Sequence, residues 1–221
     1  MTVIVAGLLA LLFSGLKPIH DKNEANYNKK EILGSIIKDA SNLKDDEVAS
    51  IFNSSVKQIV LDANGKVIPD EEADKIDMKK EAKKAAADRR YPLYVFDGEE
   101  GLFYIVAVRG KGLWDAIWGS IAIEKDFNTI GGVAFNHQAE TPGLGAEIKD
   151  NNAWKAEFKG KKLFNDAGEY VSVDVVKGGV KDPEHQVDAI SGATVTCVGV
   201  AEMLDRGIKV YLPYFDTLEK K

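Results

Sequence analysis

Five runs of β-branched and aromatic residues fill much of the chain after residue 90, and they limit its fold more than any other feature. Glycine or Asp/Asn turns separate most of them, and the runs cover residues 91–97, 102–109, 116–123, 130–135 and 170–177. Short strands joined by short turns are typical of an antiparallel sheet, because parallel neighbours need longer crossovers.

A helix should follow the sheet, since apolar residues recur at helical intervals between residues 195 and 211. The residues with this spacing are Val198, Val200, Ala201, Leu204 and Ile208. The helix would begin close to Thr194. The expected fold class is α+β, an antiparallel sheet with flanking helices.

The region before the sheet contains three further predicted elements. An amphipathic helix is expected within residues 21–50, on the spacing of Ile32, Leu33, Ile36 and Ile37. A small hairpin is expected over residues 58–68, where Asn64-Gly65 can supply the positive φ angles of a tight turn. Residues 70–90 are charged and alanine-rich, which predicts a solvated helix that ends before Pro92.

The N-terminus carries an uncharged apolar run of 14 residues, 3–16. As a helix it would span roughly 21 Å, against about 30 Å of membrane hydrocarbon. Three interpretations are open: the core of a signal peptide, a buried helix, or the second half of a transmembrane anchor that begins upstream. Leu16-Lys17-Pro18 is typical of a membrane exit, so we favour the anchor.

Charge and cysteine content exclude several classes of function. The net charge is -6, with acidic and basic residues interspersed, which does not suit a nucleic-acid partner. The single cysteine cannot form an internal disulfide, or hold an iron–sulfur cluster or a zinc ion by itself. No metal-ligand spacing accompanies the three histidines, so any redox chemistry should come from an organic cofactor.

A cluster of small residues lies where the last helix should begin. Ser191 could cap the helix, and Gly192 and Ala193 would leave backbone N–H groups open at the positive end of the helix dipole. A phosphate would be held well there. A serine cap followed by small residues also opens many helices that bind nothing, so both interpretations stay open on the residues alone.

Three segments of the chain resemble the FMN-binding domain family. Asp188-Ala189-Ile190-Ser191-Gly192-Ala193-Thr194 is similar to its D-x-x-S/T-G-A-T flavinylation motif. The stretch from His137 to Gly145 resembles the family's H-x-x-E-T-P-G-L-G loop, and the stretch from Gly110 to Asp115 resembles its G-x-G-L-W segment. The resemblance covers roughly residues 90–210.

The resemblance implies FMN attached covalently, through its phosphate, to the hydroxyl of Thr194. Thr196 is the neighbour that could be confused with it. The other residues expected at the cofactor are Asp188, Ser191, Gly192, Ala193, His137, Glu140, Thr141, Gly143, Leu144, Gly145, Leu113 and Trp114. Trp114 could stack on the flavin or belong to the core, and His137 could bond a flavin oxygen or only its own loop. No catalytic residue and no metal ligand is expected.

The resemblance also implies a function, since the family occurs in sodium-translocating NADH:quinone reductases and in Rnf complexes. The chain would relay electrons as a subunit of such a membrane complex, and a flavin transferase would attach the FMN. The membrane exit, the insertion before the sheet and the complete E-T-P-G-L-G loop favour the sodium-pumping reductase over the G subunit of Rnf. A membrane-tethered adaptor that never receives flavin is the alternative from another class.

The predicted organisation combines these inferences. Residues 1–17 would be part of a transmembrane anchor, residues 18–90 a membrane-proximal region, and residues 91–221 the FMN-binding domain. Lysines after the apolar run would place the domain in the cytoplasm by the positive-inside tendency. The family resemblance implies instead a single-pass protein of the bacterial inner membrane with its FMN domain on the extracytoplasmic side, and that is our expectation.

Overall fold

The computed structural model describes residues 2–219, in which helices and strands are arranged as one α+β unit. The helices are α1 (Thr2–Leu33), α2 (Asp45–Ser55), α3 (Met78–Glu81), α4 (Glu147–Asp150), α5 (Asn152–Ala156), α6 (Thr194–Lys209) and α7 (Leu212–Glu219). The strands are β1 (Val56–Leu61), β2 (Val67–Ile68), β3 (Tyr91–Gly98), β4 (Gly101–Lys111), β5 (Ala116–Glu124), β6 (Ile130–His137), β7 (Asp174–Val176) and β8 (Gln186–Asp188).

The main sheet has six strands in the order β2-β1-β3-β4-β5-β6, and every neighbouring pair is antiparallel. The α+β class and four of the five strand runs are therefore confirmed. The predicted hairpin is confirmed as β1 and β2, and β1 joins the sheet by pairing with β3. The sheet thus includes residues on both sides of position 90, while the proposed domain division there stays a prediction.

Each face of the sheet buries its own apolar cluster, because successive side chains along a strand point to opposite faces. Val106 and Ile121 lie on the face that packs against α6, α7 and the segment around α5. Ile105 and Ala122 lie on the other face, under the end of α1 and under α2. Because helices cover both faces of the sheet, the strand ends and loops are the parts that can form a functional site.

The hairpin turn differs from the expected tight turn. Only Gly65 has a positive φ, +76°, and Asn64 does not. The carboxylate of Asp62 accepts hydrogen bonds from the amides of Asn64 at 2.8 Å and Lys66 at 2.9 Å. An Asp side chain that satisfies two amides in this way stabilises a wider loop between the strands.

The last strand run, residues 170–177, was predicted in the main sheet, and this is wrong. Only β7 is extended, and it pairs in parallel with β8 in a separate two-stranded sheet. Ser172 has a left-handed φ of 61°, which ends the extended backbone before β7. The Tyr170 hydroxyl donates to the Asp205 carbonyl of α6 at 2.9 Å, so this stretch packs along the helix.

The prediction of one helix over residues 70–90 is also wrong. The region contains only α3 and two 3-10 turns, Ala73–Lys75 and Ala86–Asp88. The Asp77 side chain accepts from the amides of Lys79 and Lys80, which starts a new helix at α3. The stretch has no apolar stripe to bury, and a helix without tertiary packing is marginal at this length.

At the N-terminus, α1 is a single helix that continues through Pro18. The helix expected within residues 21–50 is therefore the second half of α1, and it ends at Leu33. One internal proline removes one main-chain hydrogen bond and kinks a helix without having to end it. Ile32 and Leu33 are buried at the end of α1, whereas Ile36 and Ile37 follow it in half-buried turns.

The apolar part of α1 is exposed at every residue whose side chain the structure describes. Its large side chains are exposed, for example 73% for Leu11 and 66% for Phe13, so the interpretation as a buried helix is wrong. By length and composition, Ile4–Leu33 could cross a membrane, and it lies near the N-terminus. The same criterion also admits a signal sequence.

Candidate functional site

Glu140 joins the three sequence motifs at the end of the sheet. Its side chain is 5% exposed and follows β6. One carboxylate oxygen accepts the Trp114 amide at 3.0 Å, and the other accepts the Thr196 hydroxyl at 2.5 Å and the Leu113 amide at 3.3 Å. The loop after β4, the loop after β6 and the first turn of α6 are therefore bonded through one residue.

These bonds favour the charged form of Glu140. Burial by itself would raise the pKa of this carboxyl. The hydrogen bonds from the Thr196 hydroxyl and from the amides of Trp114, Asp115 and Leu113 outweigh that effect and lower the pKa below its usual value. Glu140 is thus an ionised group whose lone pairs are used by the protein.

Three glycines allow these loops to approach so closely. A Cβ at Gly112 would lie 2.6 Å from a carboxylate oxygen of Glu140, and one at Gly145 would lie 2.3 Å from the Thr196 hydroxyl. At Gly192, where φ is +84°, a Cβ would lie 2.6 Å from the carbonyl oxygen of Gly143. Each of these three glycines makes room for a neighbouring segment.

The helix that carries the motif threonine lies directly on β4. A Cβ at Gly199 would lie 2.2 Å from the Lys111 carbonyl oxygen, and one at Gly110 would lie 2.7 Å from the Cβ of Met203. Small residues on both partners bring the helix and strand backbones into contact. This packing fixes the position of the N-terminus of α6 relative to the loops.

The cap of α6 differs from the prediction. The N-cap residue is Ala193, which has no side-chain bond, so the assignment of Ser191 as the cap is wrong. Ser191 is exposed and precedes the N-cap by two residues. A positive φ at Gly192 turns the chain between them, which takes Ser191 out of the cap position.

The N-terminus of α6 therefore presents free donors. The first helical bond runs from the Cys197 amide to the Ala193 carbonyl at 2.9 Å. Within residues 2–219, the amides of Thr194, Val195 and Thr196 have no hydrogen-bond acceptor. Open amides at the positive end of a helix dipole are suited to binding an anion.

The two candidate threonines lie in opposite environments. Thr194 is the first residue of α6 and is exposed. Thr196 has 0% exposure, and its hydroxyl is within hydrogen-bond distance of Glu140 and of the Leu144 carbonyl oxygen, 3.2 Å away. Only the hydroxyl of Thr194 is open to a bulky group.

Four large apolar side chains are exposed on the three segments that meet at Glu140. They are Trp114 (62%), Val195 (54%), Val198 (49%) and Leu144 (42%). The interpretation of Trp114 as a core residue is therefore wrong. Val198, one of the residues whose spacing predicts the helix, lies on its exposed side, whereas Val200 is buried. Clustered apolar groups on a surface indicate a binding site.

The remaining motif residues shape the loop. The Nδ1 atom of His137 accepts the Glu140 amide at 3.1 Å, and the Thr141 carbonyl accepts the amides of Leu144 and Ala146. The backbone carbonyl of Asp188, at the end of β8, accepts the indole N–H of Trp154 at 2.6 Å. Direct contacts of these residues with a cofactor stay a prediction.

Glu147 supports the loop and was not identified from the sequence. Its carboxylate accepts the amides of Gly143 and Gly145, the latter at 3.2 Å. Its spacing of two and four residues from those glycines is typical of a local side-chain bond to the backbone. The position of an acidic residue just after a glycine-rich loop could therefore have identified Glu147 from the sequence.

The three segments that meet at Glu140 lie within the range of a known protein family. The model of the FMN-binding domain family matches residues 112–209, a range that includes Glu140, the Gly143–Gly145 loop and Thr194. By this match, the chain contains an FMN-binding domain over these residues.

Comparisons over nearly the whole chain narrow this class. The chain is 35% identical to the C subunit of the Na(+)-translocating NADH-quinone reductase of Neisseria meningitidis over 99% of its own length and 89% of that protein. It is 32% identical to the C subunit of the same reductase from Pseudomonas aeruginosa over 92% of its length and 84% of that protein.

Solved structures that resemble this chain are of the same C subunit. The chain matches the C subunit of the Na(+)-translocating NADH-quinone reductase from Parabacteroides distasonis with a TM-score of 0.79 at 37% identity, covering 90% of this chain and 96% of that one. It matches NqrC of Shewanella oneidensis with a TM-score of 0.78 at 30% identity, covering 90% and 99%. The chain belongs to the NqrC family, the C subunits of the Na(+)-translocating NADH-quinone reductases.

Proposed function

We propose that this chain carries one FMN, bound by a phosphoester to Thr194, and relays electrons within a sodium-pumping NADH:quinone reductase. The observation that carries the attachment site is the contrast between Thr194 and Thr196. The Thr196 hydroxyl is buried and bonded to Glu140, whereas Thr194 is exposed at the start of α6.

The surroundings of Thr194 suit the phosphate. The three open amides at the start of α6 can donate to phosphate oxygens, and the helix dipole favours the negative charge. Gly192 has no side chain, and Ala193 has only a methyl group on a buried residue, so neither obstructs these donors. A phosphoester to Thr194 would place the remaining phosphate oxygens directly at this helix end.

The surroundings also suit the ring. Trp114, Leu144, Val195 and Val198 leave apolar surface exposed on the segments around Thr194. A planar aromatic ring that covered them would remove apolar surface from water and could stack on the indole. Glu140 lies beneath these segments, so we assign it to positioning them and not to a reaction.

Bound FMN supplies one- and two-electron transfer at a protein surface. The protein holds the cofactor and determines the polarity of its surroundings. The segments at the site contribute exposed apolar side chains and open amides, which bind and orient the cofactor. These binding features support a role as an electron relay, in which no bond forms to a small substrate.

Membership of a larger complex follows from the relatives, which are named as subunits of a reductase. Here α1 would anchor the chain in the bacterial inner membrane with the FMN domain on the extracytoplasmic side, and a flavin transferase would attach the cofactor. Partner subunits would deliver and accept the electrons between NADH and quinone. Isolation of the native complex tests this: the G subunit of an Rnf complex would bring Rnf partners instead.

Expression of the chain with a flavin transferase tests the attachment site. We expect an intact mass increased by one FMN minus one water, and peptide mapping that places the flavin on Thr194. Thr194→Val should abolish the increase and leave the urea midpoint unchanged, because its side chain is exposed. The matched variant Thr196→Val should keep the flavin and lower the midpoint. Flavin on Thr196 or Ser191 would contradict the proposal.

A further inference from the structure

The outer edge of β6 offers unpaired backbone groups. β6 is the last strand of the sheet, and β5 covers one of its edges. At the start of the other edge, Ile130 bonds to Gly160 and Lys161, and the rest of that edge follows it. The Gln138 amide bonds to the Ala116 carbonyl, which fixes the phase of the ladder. Because bonded and non-bonded pairs alternate, the N–H and C=O groups of Val133 and Phe135 point away from β5. In residues 2–219 they have no hydrogen-bond partner.

A groove of about 680 Å³ lies along this edge. Residues 131–135 of β6 line it. One wall is the end of α1 and the turns that follow it, and the other is formed by α4 and α5. The groove is therefore an open slot beside a strand, with walls on both faces of the sheet.

The walls of the groove are cationic. The lysines that line it are Lys30, Lys38, Lys149, Lys155 and Lys159, and the acids are Glu31, Asp39 and Asp150. Lys30 forms an ion pair with Asp45 at 3.2 Å, and Glu31 accepts hydrogen bonds from Trp118 and Asn136. The four other lysines still outnumber the two other acids. The chain as a whole has a net charge of -6, so this positive slot differs in sign from the rest of the molecule.

We propose that β6 accepts an extended, acidic segment of a partner polypeptide as a seventh strand of the sheet. The outward groups of Val133 and Phe135 would pair with the backbone of the segment, as in other cases of strand addition. The lysines of both walls would meet its acidic side chains. The charges would determine which segment binds, and the hydrogen-bond ladder would determine its register against β6.

Other occupants use only part of this surface. A second copy of the chain paired through β6 would bring lysines against lysines, which opposes association. An anionic headgroup or phosphate would engage the lysines and leave the strand edge unpaired. An extended acidic chain uses both features.

The test uses the full chain in non-ionic detergent and three labelled peptides. The first alternates Glu and Val over eight residues, the second replaces each Glu with Lys, and the third is the first with alternate amides N-methylated on one edge. We expect the first to bind in fluorescence anisotropy and to slow amide exchange over residues 131–137. Equal binding of all three, or no binding of the first, would overturn the proposal.

A matched pair of variants tests the charge. Lys149→Glu with Lys159→Glu should weaken binding of the Glu/Val peptide by about fivefold or more, by removing and inverting two attractions. Lys125→Glu with Lys177→Glu, both exposed and outside the groove, should not. If the groove variant loses affinity for anionic vesicles but not for the peptide, the surface binds lipid and the proposal is wrong.

Discussion

The two threonines at the start of α6 lie on opposite sides of the helix. Successive residues are rotated by about 100°, so Thr194 and Thr196 point to nearly opposite sides. The hydroxyl of Thr196 bonds to Glu140 in the interior, while the hydroxyl of Thr194 faces solvent. The motif resemblance selects Thr194 for the flavin, and the structure adds that Thr194 is exposed while Thr196 is buried.

At the same scale, Glu140 should control the stability of the site. Glu140→Ala leaves the amides of Leu113 and Trp114 and the Thr196 hydroxyl without their acceptor, which should cost about 3 kcal/mol. Glu140→Gln keeps the shape and one acceptor, and should cost about 1 kcal/mol. Urea denaturation at pH 7 measures both, with Glu99→Gln on the exposed turn before β4 as the control.

The pH dependence of this effect has a definite sign. The folded pKa of Glu140 is lowered from an ordinary value of 4.5, so its stabilisation is present above that value and lost as pH falls through the folded pKa. The difference between wild type and Glu140→Gln should therefore shrink below about pH 4. A difference that stays constant down to pH 3 would show that charge at Glu140 contributes nothing.

At the scale of elements, the central strands were predictable because their pattern is dense. The runs that form β3 to β6 are rich in β-branched and aromatic residues, which suit a pleated and largely buried surface. The start of α6 was predictable to within one residue. These elements contribute many of the buried apolar side chains. The strand and helix preferences of their residues therefore agree with the tertiary packing.

Other elements were mispredicted because tertiary contacts decided them. The buried face of α6 includes Val200, Leu204 and Ile208, as the apolar spacing indicates. It also includes Thr196 and Gly199, because the helix packs against the backbone of β4. An apolar periodicity cannot reveal residues selected for small size. The path of residues 170–177 depends on Ser172 in a left-handed conformation and on Tyr170 bonding to α6. Neither signal is visible in a run of strand-forming residues.

The small β7–β8 sheet should show the opposite pH dependence through His185. One ring nitrogen lies 3.0 Å from the Asp182 carboxylate, and the other lies 3.2 Å from the Phe164 carbonyl oxygen. Burial alone would lower the His185 pKa, but these two acceptors and the nearby Glu184 together raise it above its usual 6.5. The protonated ring can satisfy both acceptors at once.

This stabilisation is present below the unfolded pKa and is lost as pH rises through the folded pKa. His185→Gln should lower the unfolding free energy by about 1 kcal/mol at pH 5.5 and by clearly less at pH 8.5. His20→Gln, on the exposed part of α1, should have no effect at either pH. Urea midpoints for both variants measure this, and an equal loss for His185→Gln at both pH values would contradict it.

At the scale of the whole molecule, α1 links the apolar N-terminus to the sheet without a break. Its first half is exposed and apolar, and its last turn is part of the core. The Trp118 indole donates to Glu31 at 3.2 Å, and the Asn136 amide donates to the Tyr27 hydroxyl at 2.7 Å. A helix fixed at one end to the sheet would hold the flavin site at a defined position relative to a membrane.

Truncation should separate the two roles of this helix. A chain that starts at residue 20 loses a segment that is exposed wherever the structure describes its side chains, so we expect it to be soluble and to keep a cooperative urea transition. A chain that starts at residue 38 also loses Ile32 and Leu33, which are 7% and 0% exposed. Burial of each side chain contributes about 1.5–3 kcal/mol, so this second truncation should lower the unfolding free energy by several kcal/mol.

Point variants distinguish lost packing from a general effect of shortening. Within the chain that starts at residue 20, Leu33→Ala should cost about 2–5 kcal/mol because it leaves a cavity beneath α1. Tyr27→Phe, which removes only the hydroxyl that bonds to Asn136, should cost about 1 kcal/mol. If both truncated chains unfold at the same urea concentration, and Leu33→Ala matches them, then the end of α1 is not part of the folded core and serves only to tether it.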